Sequence, residues 1–313
     1  MNLDPKQTAF VFPGQGSQVV GMGRELAQAF PVARALFVEA DELLGLGLSN
    51  LMWNGPEAEL NETLNTQPAL FLHSLAAYRV FQSLHPGWTP VFIAGHSLGQ
   101  LSALTAAGAL SFADGLRLVR RRGELMKRAG EINPGGMAAI IGLEIPALEA
   151  VCAAASVPGE VVQVANDNCP GQVVISGHKT ALERALAGAK VAGARRALPL
   201  AVSIAAHSPL MASIQADWEL AVSAASFQAA QIPVVGNVAA APLTNPDALR
   251  VDVLAQMQSR VRWTESVRWL AGQGVSSWVE CGAGAVLGGL VKRIVEGAVV
   301  FPLGAPQDFE ALN

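Results

Sequence analysis

Short apolar runs bounded by glycine or proline alternate in this chain with longer segments whose apolar residues recur at helical spacing. The short runs predict buried strands at residues 9–12, 91–94, 234–237 and 277–280. The longer segments predict helices at residues 28–44, 68–84, 98–107 and 112–129. Strands that alternate with helices are typical of an α/β protein with a largely parallel sheet.

The pattern changes in the middle of the chain, where two predicted strands follow each other directly. The expected order is strand 137–143, helix 146–155, strands 161–165 and 172–176, helix 181–192 and strand 195–200. This order is that of a ferredoxin-like unit, and residues 133–136 (NPGG) make a plausible hinge into it. We therefore expect a small ferredoxin-like subdomain at 133–201, inserted into a large subdomain formed by 1–132 and 202–313.

Composition limits the setting in which the protein works. Hydrophobic residues make up 51% of the chain and charged residues 15%, which is enough apolar material for a substantial core. The formal net charge of -4 does not favour a nucleic-acid partner. The three cysteines cannot all pair and lack the spacing of a metal site, so we expect neither a disulfide framework nor a metal. The N-terminal residues lack the pattern of a signal peptide, and no apolar run reaches the roughly 20 residues needed to span a bilayer. We expect a cytoplasmic monomer with no nucleic-acid, membrane or metal partner.

Residues 95–99 (GHSLG) form a G-x-S-x-G pattern between a predicted strand and a predicted helix. A serine on such a sharp turn needs small neighbours, and the turn exposes its hydroxyl above the sheet. It also leaves the Leu98 amide free to donate to an oxyanion. An incidental loop serine remains the alternative, although the flanking elements favour a nucleophile at Ser97 and an α/β-hydrolase-like core.

A serine hydroxyl needs a base to take its proton, and the chain contains five histidines. His96 adjoins the serine and should point away from it, whereas His73 falls within a predicted helix. His85 precedes a proline and His178 lies in a turn of the small subdomain. His207, in the loop where the chain returns to the large subdomain, is the candidate that remains.

Two further segments carry candidate ligand contacts. The glycines around Gln15 would let its backbone amide approach a ligand as a second oxyanion donor, although an ordinary strand-to-helix turn explains them equally well. Arginines cluster at 120–122 on a predicted helix, where at most one or two can face inward. An inward arginine beside the serine would bind a substrate carboxylate, and the alternative is a solvated basic face.

Taken together, the motifs resemble the malonyl-CoA:acyl carrier protein transacylases of fatty acid synthesis and the related acyltransferase domains of polyketide synthases. The resemblance covers nearly the whole chain and rests on eight segments in one order. They are residues 12–18 (FPGQGSQ), 66–69 (TQPA), 95–99 (GHSLG), 122–126 (RGELM), 170–174 (PGQVV), 207–211 (HSPLM), 261–264 (VRWT) and 280–284 (ECGAG).

The resemblance implies a ping-pong transfer of a malonyl group from malonyl-CoA to acyl carrier protein, without metal or bound cofactor. It implies that Ser97 is acylated, that His207 is the base and that the Gln15 and Leu98 amides form the oxyanion hole. The backbone carbonyl of Gln256 would orient His207 in place of a carboxylate. The remaining implied site residues bind substrate: Arg122 holds the malonyl carboxylate, and Asn168, Met126 and Gln67 lie nearby.

The chain departs from the family pattern at a few positions. Gln100 stands where the family's elbow usually continues with Glu, Ala283 replaces a common Pro, and residues 204–206 (IAA) before His207 are unusual. These departures bear on acyl selectivity rather than on the nucleophile or base. An acidic carrier protein should dock on basic residues near the cleft, for which the candidates are Arg120, Lys127, Lys179, Arg195, Lys292 and Arg293.

Two alternative functions share some of these features. A serine esterase or thioesterase has the same elbow, but it would normally carry an acidic triad member and needs no internal arginine. A catalytically idle subunit of a larger synthase is the second alternative, against which the retention of both Ser97 and His207 argues. The pattern leaves open whether the carrier protein serves fatty acid or polyketide assembly, and how strictly malonyl is preferred to methylmalonyl or acetyl groups.

Overall fold

The computed structural model describes residues 3–312. Over that range the chain forms ten strands, fourteen α-helices and 3-10 helices at Pro5–Gln7 and Pro209–Ile214. The strands are β1 Thr8–Phe12, β2 Phe92–Gly95, β3 Gly135–Ile141, β4 Val162–Cys169, β5 Gln172–His178, β6 Arg196–Pro199, β7 Val234–Val235, β8 Pro242–Leu243, β9 Ser277–Cys281 and β10 Val299–Leu303. The helices are α1 Arg24–Ala29, α2 Pro31–Leu44, α3 Leu48–Asn54, α4 Glu57–Leu60, α5 Thr63–Leu84, α6 Gly99–Ala106, α7 Phe112–Ile132, α8 Ile145–Ala155, α9 Lys179–Val191, α10 Gln215–Ala224, α11 Pro246–Gln256, α12 Trp263–Gly272, α13 Val286–Ile294 and α14 Pro306–Glu310.

The larger sheet has six strands in the order β10-β9-β1-β2-β7-β8. Its first five strands are parallel to their neighbours, and β8 alone runs antiparallel to β7. β1 lies at the centre and all five of its residues are buried, as expected for a parallel strand covered on both faces. The loops that leave β1, β2, β7 and β9 therefore meet at one edge of the sheet, where open α/β sheets bind their ligands.

The smaller sheet has four strands in the order β4-β5-β3-β6, all antiparallel. Helices α8 and α9 pack on it around a separate apolar core, and each helix connects two parallel strands that have a third strand between them. That topology is the ferredoxin-like arrangement, and the predicted fold class is confirmed. All of this sheet lies within residues 135–199, and the predicted subdomain boundaries at 133 and 201 remain a prediction.

Local sequence explains several helix ends. Ser111 begins α7, because its side chain accepts a hydrogen bond from the Asp114 amide. Asn245 does the same for α11 with the amides of Asp247 and Ala248. Helix α2 starts at Pro31 and stops at Gly45, which adopts a left-handed conformation (φ 61°).

The structure differs from the sequence-based expectation at several elements. The segment 28–44 is broken at Phe30, whose extended backbone separates α1 from α2. Gly135 and Gly136 begin β3, where they pair with His178 and Gly177 of β5, rather than forming a hinge. Gly135 is also closely packed, because a β-carbon there would lie 2.7 Å from both the Ala205 β-carbon and the Gly177 carbonyl oxygen. The short strand β8 and the edge strand β10 were not predicted. None of the helices within 3–312 is long and apolar enough to cross a bilayer.

Candidate active site

Ser97 lies on the turn between β2 and α6, and its backbone is left-handed (φ 53°). A left-handed conformation is unfavourable for a residue with a side chain, and it turns the hydroxyl out of the strand direction. The surrounding glycines are required sterically. A β-carbon on Gly95 would overlap the Gly99 carbonyl group, and one on Gly99 would overlap the Phe12 carbonyl oxygen. The predicted elbow is therefore present.

His207, 110 residues further along the chain, contacts Ser97. Its Nε2 lies 2.8 Å from Ser97 Oγ, and its Nδ1 lies 2.9 Å from the backbone oxygen of Gln256. A carbonyl oxygen can only accept, so Nδ1 carries the proton and Nε2 is left to receive one from the serine. Burial and, after it, the positive charge of Arg122 lower the pKa of His207 to about 3, which keeps the imidazole neutral.

The loop that carries His207 is also left-handed at the histidine (φ 59°). Ser208 fixes the next turn, since its hydroxyl donates to the Ala205 carbonyl at 2.7 Å and accepts from the Leu210 amide. From the small sheet, Gln163 donates to the His207 carbonyl at 2.8 Å. The base is therefore held by contacts from the small sheet and from α11, and nothing in the sequence analysis had singled out Gln163.

Arg122 projects from α7 into the same place and is only 2% exposed. Its Nη2 donates to Ser97 Oγ at 3.1 Å and to Gln256 Oε1 at 2.9 Å, and its Nη1 donates to Gln67 Oε1 at 2.9 Å. Within residues 3–312 the guanidinium forms no ion pair. Burial lowers its pKa to about 10, so it remains charged at neutral pH without a carboxylate partner.

Close packing of two helices makes this contact possible. A β-carbon on Gly123 would lie 2.6 Å from Leu64 Cα and 2.8 Å from the Thr63 carbonyl oxygen, so α7 touches the start of α5. Gln67, one turn further along α5, is fully buried and donates to Met126 Sδ at 3.2 Å. Gln67 thus contacts both Arg122 and Met126, and the substrate-binding role of Gln67 and Met126 stays a prediction.

The two predicted oxyanion donors are the backbone amides of Leu98, in the elbow, and of Gln15, in the loop after β1. Leu98 immediately precedes α6, and its amide donates no hydrogen bond to any group between residues 3 and 312. The same holds for the Gln15 amide, in the loop after β1 that packs against the elbow: a β-carbon on Gly14 would lie 2.7 Å from the His96 carbonyl oxygen. Neither amide is therefore satisfied within the described residues, and an oxyanion hole requires such donors.

Asn168 contacts the site through a neighbour. Its Oδ1 lies 2.8 Å from His96 Nε2, and His96 packs edge-on against Trp263 at 5.7 Å between ring centroids. Burial lowers the pKa of His96, so this ring is an uncharged side chain next to the serine. Its ring hydrogen-bonds Asn168 and not Ser97, as expected for a side chain that points away from the nucleophile.

Three buried polar side chains beneath the elbow escaped the sequence analysis in whole or part. Asn237 accepts from the Ser97 amide at 2.7 Å and donates to the Gly95 carbonyl at 2.6 Å. Gln256 contributes its side chain as well as its carbonyl, since Nε2 donates to the Ser97 carbonyl at 2.9 Å. Asp252 is buried one turn before Gln256 on α11. The polar residues Asp252 and Gln256, one helical turn apart on α11, are the sequence signal that could have indicated part of this network.

The sequence profile described as "Acyl transferase domain" matches residues 9–298. A protein of Escherichia coli named malonyl CoA-acyl carrier protein transacylase is 47% identical over 305 residues, which cover 97% of this chain and 98% of the relative. The relative of the same name from Bacillus subtilis is 44% identical over 302 residues, covering 96% of this chain and 95% of the relative.

The solved structures give the same result for the fold. An acyl carrier protein S-malonyltransferase from Vibrio cholerae superimposes with a TM-score of 0.94 at 44% identity, covering 98% of this chain and 100% of the other. A malonyl-transacylase solved with a type II PKS acyl-carrier protein has a TM-score of 0.93 at 43% identity, and the match covers 98% of both chains.

Proposed function

Because the chain belongs to the acyl transferase domain family, we propose that it transfers the malonyl group of malonyl-CoA to the phosphopantetheine thiol of acyl carrier protein. The enzyme is an acyl carrier protein S-malonyltransferase, and it supplies malonyl units for the elongation of fatty acid or polyketide chains.

One observation carries this function: the hydroxyl of Ser97 contacts both a neutral imidazole and a buried guanidinium that forms no ion pair within residues 3–312. Nε2 of His207 lies at 2.8 Å and Nη2 of Arg122 at 3.1 Å from the same oxygen. A nucleophile and base alone would serve any acyl transfer. The guanidinium adds a preference for an acyl group that ends in a carboxylate, because a buried cation without a counter-ion gains most from an anionic substrate.

In the first half-reaction the Ser97 oxygen attacks the thioester carbonyl carbon while His207 Nε2 takes the hydroxyl proton. The carbonyl oxygen becomes negative and is stabilised by the amides of Gln15 and Leu98. The tetrahedral intermediate collapses, the carbon–sulfur bond breaks, and the coenzyme A thiolate receives the proton from His207. The product is a malonyl ester on Ser97, and the base is neutral again.

The second half-reaction reverses these roles. The thiol of the carrier's phosphopantetheine gives its proton to His207 and attacks the ester carbonyl, and the same two amides stabilise the oxyanion. When the intermediate collapses, the Ser97 oxygen leaves and recovers a proton from His207. The Gln256 carbonyl holds the imidazole in the required tautomer throughout, a task that a carboxylate performs in many serine hydrolases.

The carrier protein is expected to dock through basic residues, and the structure divides the six candidates into two groups. Arg120 pairs with Glu124, Lys127 pairs with Glu62, and Arg293 donates to Gln172. Lys179, Arg195 and Lys292 form no ion pair between residues 3 and 312. We propose these three as the first positions for charge reversal, because their side chains are held by neither an ion pair nor a hydrogen bond within residues 3–312.

Every step is a nucleophilic displacement or a proton transfer between named groups, so we propose that no metal or bound cofactor takes part. We further propose a cytoplasmic monomer that binds neither nucleic acid nor membrane, on the basis of its acidic net charge and its three cysteines, which cannot all pair.

Intact-mass measurement of the protein mixed with malonyl-, methylmalonyl- and acetyl-CoA tests the proposal. We expect one malonyl adduct on the wild-type protein, none on Ser97→Ala, and loss of the adduct when the pantetheinylated carrier is added. Ser102→Ala is a matched control, because this buried serine lies in α6 away from the reacting atoms and should leave the adduct intact. Rapid hydrolysis of malonyl-CoA without carrier would instead indicate a thioesterase, and an inert Ser97 would indicate an idle subunit.

A further inference from the structure

Asp252 is a buried carboxylate beneath the elbow, and the reaction above assigns it no task. It is 4% exposed, and it accepts hydrogen bonds from three consecutive backbone amides, those of residues 237, 238 and 239, at 3.0, 3.2 and 2.8 Å. It forms no ion pair between residues 3 and 312. Its fourth donor is a side chain: Gln100 Nε2, at 2.6 Å.

Two amides connect this carboxylate to Arg122. The Oε1 of Gln100 accepts from Gln256 Nε2 at 2.6 Å, and the Oε1 of Gln256 accepts from Arg122 Nη2 at 2.9 Å. A carboxylate can only accept and a guanidinium can only donate, so the two ends of the chain require the same orientation of both amides. With that orientation every hydrogen bond between Asp252 and Arg122 is satisfied.

We propose that Asp252, acting through Gln100 and Gln256, is a positioning residue that holds the Arg122 guanidinium ready for the malonyl carboxylate. The inference rests on the proposed function, since it concerns how that enzyme selects its acyl group. Reversal of the Gln256 amide would set its NH2 group against the donor-only guanidinium and leave both buried groups unsatisfied. The Ser97 carbonyl, which accepts from Gln256 Nε2 at 2.9 Å, favours the same orientation. Loss of Asp252 should therefore weaken the preference for malonyl groups rather than abolish it.

The same network explains why glutamine at position 100 suits this chain. A glutamate there would place a second carboxylate in contact with Asp252, and two buried carboxylates in contact cannot both be ionised. The negative charge of this network stands at Asp252, one side chain further from Arg122 than position 100 is.

The test is a double-mutant cycle of Asp252→Asn, Gln100→Glu and the double variant. The measured quantity is the ratio of Ser97 acylation rates with malonyl-CoA and with acetyl-CoA, under single-turnover conditions. We expect each single change to lower this ratio about tenfold, the size of one lost charge-assisted hydrogen bond. In the double variant the carboxylate moves to position 100, where it accepts from both position 252 and Gln256, and the ratio should recover much of its wild-type value.

Two further variants keep the test decisive. Gln100→Met removes the connection while Asp252 keeps its three backbone amides, so it should lower the ratio even if Asp252→Asn fails to fold. Glu280→Gln is the matched control, because this buried carboxylate accepts from the Leu287 and Gly288 amides and has no contact with the network. It should leave the ratio unchanged.

Folded single variants with the wild-type ratio would overturn the positioning role, and so would a double variant no better than the worse single one. A lowered ratio in Glu280→Gln would overturn it as well, since the ratio would then follow general destabilisation. The wild-type protein separates this inference from the proposed function. If wild-type Ser97 takes no malonyl group, the proposed function fails; if it does and the variants match it, only the role of Asp252 fails.

Discussion

The Arg122 guanidinium donates a hydrogen bond directly to the Ser97 hydroxyl, with 3.1 Å between Nη2 and Oγ. The hydroxyl oxygen therefore accepts from a cation while its proton points to His207, at 2.8 Å. A donated hydrogen bond makes the oxygen less nucleophilic, and a nearby positive charge makes the imidazole harder to protonate. A malonyl carboxylate that pairs with Arg122 would relieve both effects. The arginine can thus favour malonyl groups in the chemical step as well as in binding.

The pH dependence of acylation tests this arrangement. Burial first and the charge of Arg122 second lower the pKa of His207 to about 3. The base must be neutral, so activity falls as pH drops through that pKa. Arg122→Gln removes the charge, the pKa of His207 rises, and the acid limb should move to higher pH. The measurement is the rate of Ser97 acylation by acetyl-CoA from about pH 2 to about pH 8.

The control for this experiment is Arg121→Gln, which removes a neighbouring charge that is exposed and pairs with Glu124 and Asp217. It should leave the acid limb in place. An acid limb in Arg122→Gln that stays where the wild type has it, or moves to lower pH, would contradict the assigned effect of Arg122 on the base.

Gln163 offers a test of how the small sheet contributes to catalysis. Its amide donates to the carbonyls of His207, at 2.8 Å, and Gln258, at 3.2 Å. Gln163→Leu leaves both carbonyls without this donor, which should cost about 1 kcal/mol of stability and loosen the left-handed histidine. We expect kcat to fall about tenfold with little change in the KM for malonyl-CoA. Asn65→Leu, which removes a half-buried amide that donates to the Glu59 carbonyl and accepts from Arg120, should leave kcat unchanged. An equal loss in both variants would count against a specific role for Gln163.

The elbow could be predicted from the sequence because its requirements are local. Gly95 must be small because a β-carbon there would overlap the carbonyl group of Gly99, four residues along the chain, and a strand and a helix flank the turn. The supports beneath the elbow could not be predicted in this way. Asn237 lies 140 positions from Ser97, and only the order of strands in the sheet brings the two together. Strand β10 was missed for another reason: it is an edge strand, four of whose five residues are at least partly exposed, so its burial pattern lacks a clear period.

Asn237 is the long-range support whose loss should be easiest to measure. Its side chain satisfies the Ser97 amide and the Gly95 carbonyl at once. Asn237→Asp has nearly the same shape and still accepts from Ser97, but it cannot donate to Gly95 and sets a carboxylate against that carbonyl. We expect a stability loss of about 1–3 kcal/mol and a slower acylation of Ser97. Thermal unfolding and single-turnover acylation measure the two effects. Wild-type values in both would show that Asn237 does not support the elbow.

Gly99 tests the close contact between the elbow and the loop after β1. Alanine favours helices, so Gly99→Ala would stabilise an isolated α6, but its β-carbon would overlap the Phe12 carbonyl oxygen and lie 2.8 Å from that of Pro13. We expect the clash to dominate, with a stability loss of about 1–3 kcal/mol and a displaced Gln15 amide that slows acylation. Gly289→Ala is the matched control, since this glycine lies in α13 with no atom near the added carbon, and it should stabilise the protein by up to about 1 kcal/mol. If both changes stabilise the protein, the loop does not lie against the elbow as described, and the Gln15 amide loses its place in the oxyanion hole.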